Sequence, residues 1–176
     1  GTSLVYYSRG KRTDGVLAAT AGTTCLVVYL GVFLGFYMLI QVEHSVWWII
    51  GLIAIVKMCD TGAYFTGCSI GRHKMIPWLS PGKTWEGLAG GLVTAMATAW
   101  GLSLASEAWL PGEPLVPLWL ALLLGLVIGA CGQIGDLAMS LLKRGADRKD
   151  SSNLLPGLGG IMDVLDSPLF VAPVGW

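Results

Sequence analysis

Long apolar runs separated by short polar connections organise this chain. Val16 to Ile40 holds no charged residue, and a helix rising about 1.5 Å per residue crosses a bilayer core in that length. Val46 to about Ile70 is a second run, interrupted by Lys57 and Asp60. Gly87 to about Leu110 is a third, rich in the Gly, Ala and Thr that let membrane helices pack closely. Pro117 to about Leu142 is a fourth, with Gln133 and Asp136 near its end, and Ser167 to Trp176 begins a fifth. The pattern predicts an all-α, polytopic membrane protein with about four complete transmembrane helices and the start of another. The whole of 1–176 is expected to be one membrane-embedded domain. It reads as an incomplete chain, lacking N-terminal helices and the end of its last helix.

The polar connections alternate in charge, which predicts the orientation. Arg9, Lys11 and Arg12 precede the first run; Arg72, Lys74 and Lys83 follow the second; Lys143, Arg144, Arg148 and Lys149 follow the fourth. The other two connections hold no Lys or Arg. Positively charged connections stay cytosolic, so the 71–86 and 143–166 segments are expected to face the cytosol together. Trp47, Trp48, Trp109 and Trp119 lie near run ends, where amphipathic rings favour the headgroup layer.

Composition agrees with the membrane reading. Hydrophobic residues make up 54% of the chain and charged residues 12%, about half the share of a soluble domain. The mean hydropathy is +0.67. The net charge of zero gives no reason to expect nucleic acid as a partner. Cys25, Cys59, Cys68 and Cys131 form no C-x-x-C pair, so they read as buried free thiols.

Polar residues gather in three places. Asp60 and Asp136 lie within apolar runs, where an ionised side chain costs about 2.5–3.5 kcal/mol at the bilayer centre and calls for a polar cavity or a partner. A local pair between Lys57 and Asp60 would account for the first but not the second. The segment Ser80-Pro-Gly-Lys83-Thr-Trp-Glu86-Gly87 offers a cation, hydroxyls and an acid, or equally a helix N-terminus. The densest stretch runs from Ser140 to Asp166. Its four bases and flexible Gly-Pro region suit a polyanion, although basic residues beside a membrane are expected from topology alone. Asp163 and Asp166 would share a face if helical, and could hold Mg²⁺ or simply complement a helix N-terminus. His73 is a lone loop histidine with no chemistry assigned.

The 140–166 stretch resembles the signature of the phosphatidate cytidylyltransferases. Ser140, Lys143, Arg144, Lys149, Asp150, Ser152, Pro156, Gly159, Gly160, Asp163 and Asp166 fall in register with it. Asp60-Thr-Gly-Ala-Tyr64, Gly71-Arg-His-Lys74 and Ser80 to Gly87 are similar to the same family. Leu158 stands where that signature has His, and Val164 where it has Arg. The resemblance implies a Mg²⁺-dependent membrane enzyme that joins CTP to phosphatidic acid, releasing pyrophosphate and giving CDP-diacylglycerol for phospholipid synthesis.

On that reading Asp136, Asp163 and Asp166 are expected to hold one or two Mg²⁺ ions, with a monovalent cation as a further candidate. Asp136, Lys143, Arg144, Lys149, Asp150 and Asp163 form the expected catalytic set. Asp60, Lys83, Glu86, Ser140, Gly159 and Gly160 are expected to bind substrate. The partners implied are CTP, phosphatidic acid and the bilayer, with a homodimer as a candidate assembly. In a bacterium the site would face the cytosol from the inner membrane. The competing reading is a polytopic secondary transporter, which also uses intramembrane carboxylates but places them nearer the midplane.

Overall fold

A computed structural model describes residues 16–109, 116–145 and 161–176, with side chains over 20–106, 116–145 and 165–176. Five helices carry the architecture: α1 (Val16–Glu43), α2 (Val46–Ile70), α3 (Trp85–Trp109), α4 (Leu118–Gly145) and α5 (Ile161–Gly175). Four of them, spanning Thr20–Glu43, Val46–Ile70, Trp85–Ser106 and Leu118–Gly145, are long and apolar enough to cross a membrane. The protein is an all-α, polytopic integral membrane protein with one small β element.

Apolar side chains lie both inside and outside the bundle. Ile40, Leu52, Ile55, Val56, Cys59, Ala95, Ala99, Ile128 and Val171 are buried together, whereas Val27, Val42, Met38 and Val93 stand on the outside. Lipid solvates such side chains as well as a core does, so association rests on close packing rather than on hiding apolar area. The α2–α3 seam shows how. A Cβ at Gly62 would overlap Thr94, and one at Gly90 would overlap Thr66. Thr94 Oγ1 then donates to the Met58 carbonyl at 3.1 Å across the same seam. The α3–α4 contact repeats the device at Gly125, where a Cβ would come within 2.8 Å of the Met96 Cα.

Two features depart from the sequence expectation. The connection after α2 closes into an antiparallel hairpin of β1 (Lys74–Ile76) and β2 (Ser80–Thr84), pairing Lys74 with Thr84 and Ile76 with Ser80. Pro77 pre-sets the turn, which is closed by Leu79 N–H donating to the Ile76 carbonyl at 3.1 Å. The last helix begins at Ile161 rather than Ser167, despite Pro168 and Pro173 inside it. Each proline leaves one carbonyl without its usual helical donor.

The helices alternate in direction, giving the bundle two unlike ends. At one, the Trp48 indole donates to the Gly175 carbonyl at 2.8 Å and that of Trp176 to Glu43 at 2.9 Å. At the other lie the hairpin, the start of α3, the end of α4 and the start of α5.

Candidate functional site

Helical spacing delivers the polar side chains to the hairpin end. On α4, Gln133, Asp136, Ser140 and Lys143 follow at three- and four-residue steps, so one face carries all of them. On α2, Lys57 and Asp60 are one turn apart. The hairpin supplies Lys83 from β2, and its last residue, Thr84, starts α3 by accepting from Gly87 N–H at 3.0 Å.

These three elements meet in one ionic network. Lys83 Nζ lies 2.7 Å from Asp136 Oδ2 and 3.0 Å from Gln133 Oε1, with the Gln133 carbonyl at 3.5 Å. Gln133 Nε2 donates to Asp60 Oδ1 at 3.0 Å. Asp60 Oδ2 completes the chain with Lys57 Nζ at 3.5 Å. The local Lys57–Asp60 pair is therefore present, but it is one end of a longer chain. Each half-buried charge here has an opposite charge or a dipole against it, which partial removal from water favours.

A second pair lies further along α4. Lys143 Nζ stands 3.5 Å from Asp166 Oδ2, and the Asp166 side chain is only 3% exposed. Asp166 Oδ1 accepts from Ser167 N–H at 2.7 Å and from its hydroxyl at 3.3 Å. Oδ2 is buried and receives no hydrogen bond among the described residues. The Lys143 ammonium compensates its charge, while the oxygen itself makes no hydrogen bond, which leaves acceptor capacity at a buried position.

Between the hairpin and this end of α4 lies a cavity of about 350 Å³. Leu79, Ser80, Pro81 and Gly82 form one wall; Ser140, Lys143 and Arg144 form the other. Two cations and two hydroxyls thus face a space with the volume of a small-molecule site.

The sequence-derived residues are distributed unevenly around it. Asp60, Lys83 and Asp136 are brought together; Ser140, Lys143 and Arg144 line the cavity; Asp166 joins through Lys143. Glu86 points elsewhere. It accepts from His73 Nδ1 at 2.6 Å and from His73 N–H at 3.2 Å, clasping the start of the hairpin to the start of α3. Lys149, Asp150, Gly159 and Gly160 lie outside the described residues, as does Leu158, and of Asp163 and Val164 only the helical backbone is described. Gln133 was legible only as a polar residue within an apolar run. Its Asp60 and Lys83 partners are 73 and 50 positions away.

The carboxylates can be tested against a divalent cation. Among the described residues no three His, Cys, Asp or Glu side chains converge. Mg²⁺ does not need three, because it typically takes one or two carboxylates and fills the rest with phosphates and water. Asp136 and Asp166 reach this end of the bundle from α4 and α5, and two carboxylates are within the number that this ion takes.

Comparison with known proteins relates this chain to one family. Residues 2–176 match the model of the cytidylyltransferase family. The chain is 40% identical over 152 residues to a phosphatidate cytidylyltransferase of Bacillus subtilis, covering 85% of this chain and 54% of that protein. It is 35% identical over 161 residues to a phosphatidate cytidylyltransferase of Mycobacterium tuberculosis, covering 91% and 47% respectively. An uncharacterized protein of Escherichia coli is 45% identical over 125 residues, covering 70% and 39%. The chain thus spans about half the length of the curated relatives it matches.

Proposed function

The chain belongs to the cytidylyltransferase family, and from that membership we propose that it transfers the cytidylyl group of CTP to phosphatidic acid, giving CDP-diacylglycerol and pyrophosphate. A phosphate oxygen of phosphatidic acid attacks the α-phosphorus of CTP. A new P–O bond forms, the α–β phosphoanhydride bond breaks, and pyrophosphate leaves with its electron pair. The nucleophile is ionised at neutral pH, so the protein has no demanding proton to move. Its task is to hold two polyanions together and stabilise the charge that builds on the leaving group.

The observation that carries this reading is the cavity walled by the hairpin tip and by Ser140, Lys143 and Arg144. Two cations there counter phosphate charge, and the guanidinium of Arg144 can engage two oxygens at once. The Lys83–Asp136 pair and Asp60 continue the polar face of α4 beyond the cavity. Asp136, Asp166 and, from the signature, Asp163 would hold Mg²⁺, which when bound neutralises phosphate charge and polarises the phosphoryl oxygens. The charge alternation along the chain supports a cytosolic position for this end, where CTP is available, with phosphatidic acid arriving from the surrounding leaflet.

The test follows the label. The intact protein in detergent is given phosphatidic acid, Mg²⁺ and CTP labelled either at the α- or at the γ-phosphorus. The α label is expected in a lipid-soluble product and the γ label in pyrophosphate, with both transfers stopped by a chelator and restored by Mg²⁺. Folded protein that puts neither label into product, across several phosphatidic acids, overturns the assignment.

A further inference from the structure

Gln133 is the most connected uncharged side chain in the polar network, and the functional reading gives it no role. It is 7% exposed. Its two ends face groups of opposite character: Nε2 meets Asp60 Oδ1 at 3.0 Å and Oε1 meets Lys83 Nζ at 3.0 Å. A carboxylate can only accept and an ammonium can only donate, so these neighbours fix which way the amide points. The amide thereby joins α2, β2 and α4 through one side chain.

The consequence falls on Lys83. An ammonium has three N–H donors, and three oxygens surround this one: Asp136 Oδ2, Gln133 Oε1 and the Gln133 carbonyl. Gln133 supplies two of them. It therefore sets where the lysine head sits relative to Asp136, and where the hairpin that walls the cavity sits relative to α4.

We propose that Gln133 is a positioning residue for the transfer reaction, holding Lys83 and the cavity-forming hairpin in register with Asp136 through an amide whose direction is set by Asp60. This rests on the functional reading for its effect on turnover, but not for its effect on the hairpin. Removing a side chain that orients a site residue typically costs about 10- to 100-fold in activity.

The experiment exchanges donor and acceptor. Gln133→Glu sets a carboxylate against Asp60 and is expected to lower kcat by about ten-fold or more. Adding Asp60→Asn returns a donor to that contact, because the new amide N–H can give to the new carboxylate while Lys83 keeps its acceptor. The double variant is expected to recover the protection of the hairpin amides that Gln133→Glu loses, a readout independent of any part Asp60 has in binding substrate, and with it some of the lost turnover. Gln133→Leu cannot be rescued in this way. Its hairpin amides, residues 74–84, are expected to exchange hydrogen faster than in wild type, while those of the α2–α3 seam stay protected.

A double variant that restores neither the hairpin protection nor any of the turnover lost by Gln133→Glu, with the bundle still folded, overturns the proposal. So does Gln133→Leu with wild-type turnover or with unchanged exchange over 74–84. If the wild type itself makes no lipid product, the functional reading fails. The hairpin exchange of Gln133→Leu then still decides whether the amide holds the hairpin.

Discussion

The two carboxylate groups at the hairpin end are built on opposite plans. Asp60 and Asp136 sit in a network in which Lys57, Gln133 and Lys83 answer each charge. Asp166 is more deeply buried, has one oxygen bound by Ser167, and faces Lys143 at 3.5 Å with an oxygen that receives no hydrogen bond among the described residues. The first arrangement engages Asp60 and one oxygen of Asp136 within the protein, so it sets geometry around the proposed cation site. The second pairs its charge with Lys143, a residue of the cavity wall, and leaves one acceptor unfilled. Satisfied polar groups hold a membrane site in place, and unsatisfied ones show where its ligand goes.

The largest expected effect breaks the second group. Asp166→Asn keeps an acceptor for Ser167 N–H but removes the charge, and is expected to lower turnover about 100-fold or more. Removing one partner of the buried Lys143–Asp166 pair is also destabilising, by about 3–5 kcal/mol where the ammonium stays buried and less where its stem reaches water. Melting and turnover are therefore measured in parallel, with turnover read at a temperature where the variant is still folded. Unchanged turnover in the folded variant would mean that Asp166 is structural.

Breaking the first group should cost less. Lys83→Met leaves Asp136 without its closest cation and is expected to lower turnover by about 10- to 100-fold. Lys83→Arg should not restore it, because a planar guanidinium cannot place donors on three oxygens arranged around a point. Full activity in the arginine variant would show that only the charge matters.

A third change leaves both groups intact and attacks the seam that supports them. Gly90→Val drives a branched side chain into Thr66, and overpacking of this kind costs about 1–3 kcal/mol. The melting temperature should fall while kcat of the protein that remains folded stays near wild type. The smallest effect belongs to Glu86→Gln. Glu86 and His73 form an exposed clasp away from the network, and solvent-screened pairs contribute little, so turnover should change by less than about five-fold. A greater loss would bring Glu86 back into the site.

These contrasts also mark what could be read from the chain alone. The membrane helices were legible because uncharged runs such as Val16 to Ile40 admit few other readings. Asp60, Lys83 and Asp136 were legible because ionisable residues in apolar surroundings need partners, and the structure supplies them. The hairpin was not. Residues 74–84 contain Pro77, Pro81 and Gly82 and show no period-two pattern, and their pairing depends on a turn and a bulge. Gln133 was hidden for a different reason. A neutral amide sends no charge signal, and its importance arises only when Asp60 and Lys83 reach it from other elements. Glu86 parts from its motif neighbours: Ser80 to Gly82 line the cavity, while its own side chain turns to His73.

The division of labour between the two carboxylate groups is tested most directly by Mn²⁺ titration, followed by electron paramagnetic resonance, of the intact protein with CTP and no lipid acceptor. Wild type, Asp166→Asn and Asp60→Asn are compared. Asp166→Asn is expected to weaken Mn²⁺ binding by about ten-fold or more, and Asp60→Asn to leave it within about three-fold of wild type. Equal losses in the two variants, or an Asp166→Asn protein that binds Mn²⁺ as tightly as wild type, would contradict the account.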